Sequence, residues 1–206
     1  VHGVLEDNVS SGSVLDLDQM KVAYEEHAAN LDPKQQIPAE LTSAGVQILE
    51  DFYDIYSGRD FNVYEKEMEF NFVIGNYSVI GYMDRVDMYD DMVEIVDYKT
   101  GKREVAQKDI AKNLQLGIYA LAASTIFPGK KIKGSLHYLR SGRIKSHEYS
   151  DEDLVSIKEE LVNRINRIIN DFNYSPTKNE RFCSFCDHAK SGACATGAAR
   201  LKKANY

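Results

Sequence analysis

The order of periodicities along the chain predicts an α/β domain of three layers, a central mixed β-sheet flanked by helices. Three observations carry this expectation. Apolar residues recur at helical spacing before Ser57, they alternate from Phe61 to Tyr98, and a helix, two more strands and a long helix then follow to Phe172. A chain of 206 residues, 43% hydrophobic and 28% charged, can bury a substantial single core. No apolar run approaches the roughly 20 residues that span a bilayer. The opening Val-His-Gly-Val-Leu-Glu-Asp lacks the basic and apolar regions of a secretory signal, so a cytoplasmic location is expected.

Val1 to Glu6 is a short apolar-leaning segment containing His2, and Ser10 to Ser13 reads as a polar linker. Asp16 to Asn30 has helical character with an acidic first turn, which suits the positive end of a helix dipole. Leu31-Asp32-Pro33 is expected to break it. A second helix is expected from Ala39 to about Ser57, where Leu41, Val46, Leu49, Phe52, Tyr53 and Tyr56 share helical spacing and Gly58 supplies the stop.

The middle of the chain reads as hairpins. Phe61 to Ile74 alternates, with three glutamates (Glu65, Glu67, Glu69) on one parity and Met68, Phe70, Phe72 and Ile74 on the other. Gly75-Asn76 turns the chain into a strand ending at Met88. Asp90-Asp91 then turns it into a third strand through Tyr98. Asp109 to Ile126 is expected to be a helix burying Ile110, Leu114, Ile118, Leu121 and Ala122, and on it Gln115 and Tyr119, four apart, share a face. Ile132 to Leu139 and Ile144 to Tyr149 form a hairpin around Ser141-Gly142, in which His137 and His147 are strand residues rather than ligands. Ser150 to Asp153 caps a last amphipathic helix whose core stripe is Leu154, Ile157, Leu161, Ile165, Ile168 and Phe172.

Charge interrupts this pattern where the sequence otherwise calls for burial. Asp84 lies on the second strand and Asp97 and Lys99 near the end of the third, where residues two apart share a face. Carboxylates and an ammonium on a half-buried sheet are costly unless they are paired or used. One reading is ordinary salt bridges. The other is a hard divalent cation, Mg²⁺ or Mn²⁺, held by carboxylate oxygens with a lysine beside it.

Three ordered motifs favour the second reading. Gly81-Tyr82-Met83-Asp84-Arg85-Val86-Asp87, Asp97-Tyr98-Lys99-Thr100-Gly101 and Gln115-Leu-Gly-Ile-Tyr119 resemble the G-x-x-D-R-x-D, D-Y-K-T-G and Q-x-x-x-Y elements of the PD-(D/E)XK nuclease superfamily, specifically its RecB-like and AddB-like branch. The resemblance implies a restriction-endonuclease-like fold and a Mg²⁺- or Mn²⁺-dependent deoxyribonuclease, an exonuclease or end-resection domain working with a helicase in DNA recombination and repair. It implies Asp84, Asp97, Lys99, Glu67, Gln115 and Tyr119 as catalytic-site residues, with Glu69 the rival of Glu67. It also implies His2, Asp84, Asp97 and the Tyr98 carbonyl as metal ligands, and that the chain begins inside the family's histidine motif. Arg85 is expected to pair either with phosphate or with Asp87. The alternative is a nuclease-fold scaffold without activity that binds DNA or a partner subunit.

All three cysteines lie near the end: Cys183, Cys186 and Cys194. Such spacing in a cytosolic chain points to metal rather than disulfides. With His188 they suit Zn²⁺. They also resemble the C-terminal trio of a [4Fe-4S] cluster in AddB-type relatives, whose fourth cysteine is absent from this sequence. The expected organisation is a helical part at 1–60, the nuclease core at 61–172 and a cysteine-containing tail at 173–206. A net charge of −7 argues against nucleic-acid binding as a whole-surface property. Local basic residues, Lys102, Arg103, Lys108 and Lys112 and a second group from Lys130 to Lys145, are the candidates for a phosphate track. No G-x-x-x-x-G-K-[ST] loop occurs, so a helicase motor is expected outside this chain.

Overall fold

The structure, a computed structural model, describes residues 1–12, 15–30, 38–173 and 175–204. The expected break at Leu31-Asp32-Pro33 and Ser13 of the expected linker lie outside the described residues. The chain forms two units, Val1–Val162 and Asn163–Tyr206.

In the first unit, helices α1 (His2–Asn8), α2 (Leu17–Ala29) and α3 (Ala39–Tyr56) precede strands β1 (Val63–Ile74), β2 (Tyr77–Met88) and β3 (Met92–Lys99). Helix α4 (Leu114–Ile126) and strands β4 (Lys131–Tyr138) and β5 (Arg143–Tyr149) follow, and helix α5 (Asp151–Ile169) begins in this unit and runs past its boundary at Val162. The sheet order is β1-β2-β3-β4-β5. Strands β3 and β4 run parallel across the α4 crossover, and the other neighbours pair antiparallel. This is the α/β, three-layer, restriction-endonuclease-like arrangement expected from the sequence.

Each face of the sheet buries one core. Met68, Phe70, Met83, Val86, Val93, Ile95 and Leu136 pack with Leu116, Tyr119, Ala120 and Ala123 of α4 and Ile157 of α5. Val96, Tyr98 and Leu139 pack on the other face with Val4 and Leu5 of α1, Met20 and Tyr24 of α2, and Ile48, Leu49 and Phe52 of α3. Local chemistry sets the ends of these elements. Asp16 accepts from the N–H groups of Asp18 and Gln19 at 3.0 Å, and Gly58 follows α3 at φ +76°. Ser150 and Asp153 cap α5 reciprocally, each side chain accepting from the other's N–H.

Two expectations are corrected here. Asp109 to Asn113 is not part of α4: Gln107–Lys112 is a 3-10 turn, Asn113 is extended, and its side chain caps α4 by accepting from the Leu116 N–H at 3.0 Å. The buried stripe moves with the start, to Leu116, Ala120 and Ala123, while Leu114, Ile118 and Leu121 are only half-buried. The apolar stripe of α5 is buried only at its beginning: Ile157 and Leu161 are in the core, whereas Ile168 is 72% and Phe172 80% exposed. Helical periodicity marks an apolar face, but not how far along its length a partner extends.

The second unit continues with α6 (Asp187–Lys190) and α7 (Ala195–Ala204) after a 3-10 turn at Glu180–Phe185. Among the described residues no helix is long and apolar enough to cross a membrane.

Candidate active site

The site forms where two strands part. Strands β2 and β3 pair from Arg85↔Val96 to Met88↔Val93, and the ladder goes no further. At the end of the pairing the Tyr98 N–H donates to Asp84 Oδ2 at 2.8 Å, so a side chain satisfies a backbone donor that the departing strand leaves behind. The N–H and C=O of one strand residue leave on the same side. The Tyr98 carbonyl therefore points toward the same edge as Asp84.

Asp97 precedes Tyr98 on β3 and is 2% exposed; its Oδ2 lies 2.6 Å from Lys99 Nζ. Lys99 also donates to Gln115 Oε1 at 2.8 Å, and Gln115 Nε2 donates to the Tyr119 hydroxyl at 2.9 Å. The four-residue spacing on α4 thus aims both side chains at the end of β3. Tyr119 is fixed in turn by an edge-to-face contact with Phe70, ring centroids 5.7 Å apart. Phe70 lies across from Gly81 on the neighbouring strand, where a Cβ would come within 2.6 Å of its ring. The glycine of the first motif therefore makes room for the ring that supports the tyrosine of the third.

Glu67 falls between the pairs Lys66↔Arg85 and Met68↔Met83, which puts it opposite Asp84. Its backbone has φ +45°, a left-handed conformation rare for a non-glycine and costing about 1–3 kcal/mol. Glu69, the rival, lies opposite Tyr82, two pairs further from Asp84. His2 on α1 brings Nδ1 to 3.7 Å from Asp84 Oδ2, and its ring meets Tyr98 edge-on at 6.1 Å.

Electrostatics tie these groups together. Burial pushes the Asp97 carboxyl above the usual carboxylate range; Lys99 opposes the shift and the Asp84 charge adds to it. Burial and the charges of Asp84 and Glu6 also raise Glu67, with His2 opposing. Glu6 was missed in the sequence. Its signal was the four-residue spacing from His2, which places both on one face of α1.

The donor set, carboxylate oxygens with one imidazole and a backbone carbonyl, fits a hard divalent cation in kind, and the mutual repulsion of these acids is what such a charge relieves. Among the described residues no three His, Cys, Asp or Glu side chains form a ready cage.

Around the site, the other polar groups are mostly paired. Arg85 turns inward: Nη2 donates to Asp87 Oδ2 at 3.0 Å, Nε lies 2.9 Å from Oδ1, and Nη1 donates to the Tyr98 hydroxyl at 2.5 Å. Of the second basic group, Lys133 pairs with Glu94, Lys131 with Asp91, and Arg143 and Lys145 with Glu104, whose carboxyl is drawn down to about 2 chiefly by the hydrogen bond from Lys145. Lys133 and Lys145 are half-buried and engaged within the fold, whereas Lys131 and Arg143 stay largely exposed in surface pairs. Lys102 and Arg103, which follow the end of β3, and Lys108 and Lys112 on the 3-10 turn before α4 are exposed.

In the second unit, Cys183, Cys186 and Cys194 are free thiols that line one cavity of about 360 Å³ with His188. Arg200 Nη1 approaches Cys183 Sγ at 3.9 Å, and the Gly197 N–H donates to Cys194 Sγ at 3.3 Å.

The family model that describes the PD-(D/E)XK nuclease superfamily matches residues 1–191. Among solved structures, the chain is similar to SSO0001 at 18% identity and a TM-score of 0.39, over 82% of this chain and 78% of that one. It is also similar to a protein from Eubacterium rectale provisionally named an exonuclease, at 17% identity and a TM-score of 0.43, over 82% of this chain and 66% of that one. No curated protein matches the sequence.

Proposed function

The chain belongs to the PD-(D/E)XK nuclease superfamily, and from that premise we propose that it is a metal-dependent deoxyribonuclease of the RecB-like kind, an exonuclease or end-resection domain. The observation that carries this reading is the meeting of Asp84, Asp97 and Lys99 at the parting of β2 and β3, with Lys99 tied to Gln115 and Tyr119.

Asp84, Asp97, His2 and the Tyr98 carbonyl are the groups that would hold Mg²⁺ or Mn²⁺. Such an ion, when bound, supplies Lewis acidity and an acidified water. Lys99 is held from two sides, by Asp97 and by the Gln115 amide oxygen, which keeps its ammonium at the edge where charge grows on a phosphodiester. Gln115 takes its orientation from Tyr119, so its acceptor rather than its donor faces the lysine. Glu67 adds negative charge opposite Asp84. Exposed Lys102, Arg103 and Lys108 offer the approaching strand its phosphate contacts.

The cysteine trio is proposed to serve a [4Fe-4S] cluster of the full-length protein, structural rather than catalytic, and a helicase domain or subunit is the proposed partner. Both rest on the sequence resemblance. Iron and sulfide analysis of the anaerobically purified full-length protein tests the cluster. Stoichiometric zinc without sulfide would overturn it.

The nuclease reading is tested by incubating end-labelled single- and double-stranded DNA with the protein and Mg²⁺, Mn²⁺ or chelator. Cleavage is expected with either metal, lost with chelator and in Asp97→Asn and Lys99→Ala. Equal cleavage by all three proteins would place the chemistry elsewhere. No metal-dependent cleavage by the wild type would leave a DNA- or partner-binding scaffold.

A further inference from the structure

Arg85 and Asp87 belong to the same motif as Asp84, yet neither faces the parting of the strands. Arg85 is 4% exposed and Asp87 equally buried, and their twofold contact lies on the sheet face covered by α1 to α3. A buried ion pair of this kind is weak evidence for stability, because desolvation offsets most of its attraction. What it does well is fix geometry.

Its geometry leads to one residue. Beyond Asp87, the Arg85 side chain makes one further hydrogen bond among the described residues, to the Tyr98 hydroxyl at 2.5 Å, and its guanidinium lies 5.2 and 5.5 Å from the ring centroids of Phe61 and Tyr98. Tyr98 meets Phe52 and His137 edge-on as well. Its ring is thereby clamped at the hydroxyl and on two edges. The other end of the same residue is the N–H that holds Asp84, and the ring's remaining neighbour is His2. Asp84 and His2 reach the site from a strand and a helix far apart in sequence, and Tyr98 contacts both.

We propose that Arg85, anchored by Asp87, is a positioning residue: through the Tyr98 hydroxyl it fixes the side chain whose backbone and ring set Asp84 and His2. The proposal deepens the nuclease reading, since it rests on Asp84 and His2 being ligands. It also gives the second acid of Gly81-x-x-Asp84-Arg85-x-Asp87 a task other than metal binding. Groups behind a ligand typically govern metal affinity by about ten- to a hundredfold.

The test compares the full chain with Tyr98→Phe, Arg85→Lys and Tyr56→Phe. Mn²⁺ dissociation constants are read by electron paramagnetic resonance, kcat and KM on a DNA oligonucleotide at several Mn²⁺ concentrations, and Tm without metal. Tyr98→Phe keeps every ring contact and removes only the acceptor for Arg85. It is expected to weaken Mn²⁺ about tenfold and lower kcat at limiting metal, with most of kcat restored at saturating Mn²⁺ and KM for DNA unchanged. Arg85→Lys is expected to act in the same direction. Tyr56→Phe changes the same buried layer without touching Tyr98's hydroxyl bond and is expected to leave the Mn²⁺ constant alone. A purely structural role would lower Tm in all three without a separate change in metal affinity. Wild-type Mn²⁺ affinity in a folded Tyr98→Phe overturns the positioning role alone. Failure of the wild type to bind Mn²⁺ overturns the nuclease reading beneath it.

Discussion

Two groups of charge meet on β3, and they are balanced differently. On the face covered by α1 to α3, each acid has its own cation: Asp87 has Arg85, and Glu94 has Lys133 along with the Ser135 hydroxyl. At the end of the strand, Asp97 has Lys99, but Lys99 is shared with Gln115, while Asp84 has His2 at 3.7 Å, and among the described residues no lysine or arginine forms a salt bridge with Glu67 or Glu6. Burial of charge alone therefore does not mark a site. An excess of one sign, held open at a strand edge, does.

The largest expected difference is in activity. Lys99→Ala is expected to lower metal-dependent cleavage by about 10²–10³-fold, the scale of losing one preorganised electrostatic contact. Lys133→Ala removes the same charge from the balanced group and is expected to leave cleavage unchanged. Equal losses in single-turnover assays would erase the distinction between the two groups.

Stability is expected to reverse the order. Asp87→Asn leaves the Arg85 charge buried without its counterion, and breaking such a pair costs about 3–5 kcal/mol. The Arg85 side chain is 5% exposed, whereas Asp97→Asn leaves behind Lys99, which is one third exposed and keeps Gln115. Its cost in urea denaturation without metal is expected within about 1 kcal/mol, as for substitutions that break no fully buried pair. A larger loss for Asp97→Asn than for Asp87→Asn would show the two groups to be alike.

These contrasts explain which parts of the molecule the sequence exposed. The hairpins were legible because Gly75-Asn76, Asp90-Asp91 and Ser141-Gly142 are local turn chemistry between alternating segments. Gln115 and Tyr119 were legible as neighbours because helix spacing alone brings them together. What escaped depends on atoms distant in the chain. The 3-10 turn before α4 goes with Asn113 folding back as a cap, Glu67's left-handed backbone lies against the neighbouring strand, and Arg85 turns to Asp87 and the Tyr98 hydroxyl, two partners that spacing alone does not choose over phosphate. The exposed end of α5's stripe has the same cause, since amphipathicity does not name a partner.

Metal and pH sharpen the comparison further. Asp97 and Glu67 titrate above their ordinary range, so between the ordinary and the raised values the folded state holds more protons than the unfolded chain. Stability without metal falls as pH rises through that window, and above it the full cost of the charged acids is present. A bound cation removes that cost. At Mg²⁺ a hundredfold above its dissociation constant the gain is about 2.7 kcal/mol, or about 5–10 °C in Tm for a chain of this size. The increment is expected to be largest at pH 7–8 and to shrink toward pH 5. An increment that grows as pH falls would contradict carboxylate ligands.

His137 supplies the opposite sign and the smallest effect. It is buried in the balanced group, its Nδ1 3.2 Å from the Tyr56 hydroxyl, and burial, reinforced by the charges of Arg85 and Lys133, pushes its pKa down to about 3. A histidine with a depressed folded pKa leaves the unfolded chain holding the extra proton between about pH 3 and its ordinary value. Its contribution is complete above about pH 6.5 and is lost as pH falls, at up to about 1.4 kcal/mol per unit. His137→Gln keeps a partner for Tyr56 and removes the titration. Thermal melts between pH 4 and 6.5 are therefore expected to show a shallower acid loss in this variant than in the wild type, with the two curves parallel above pH 7. Parallel curves throughout would mean that His137 takes up its proton without leaving the fold, and that the balanced group tolerates an added charge as readily as the strand edge does.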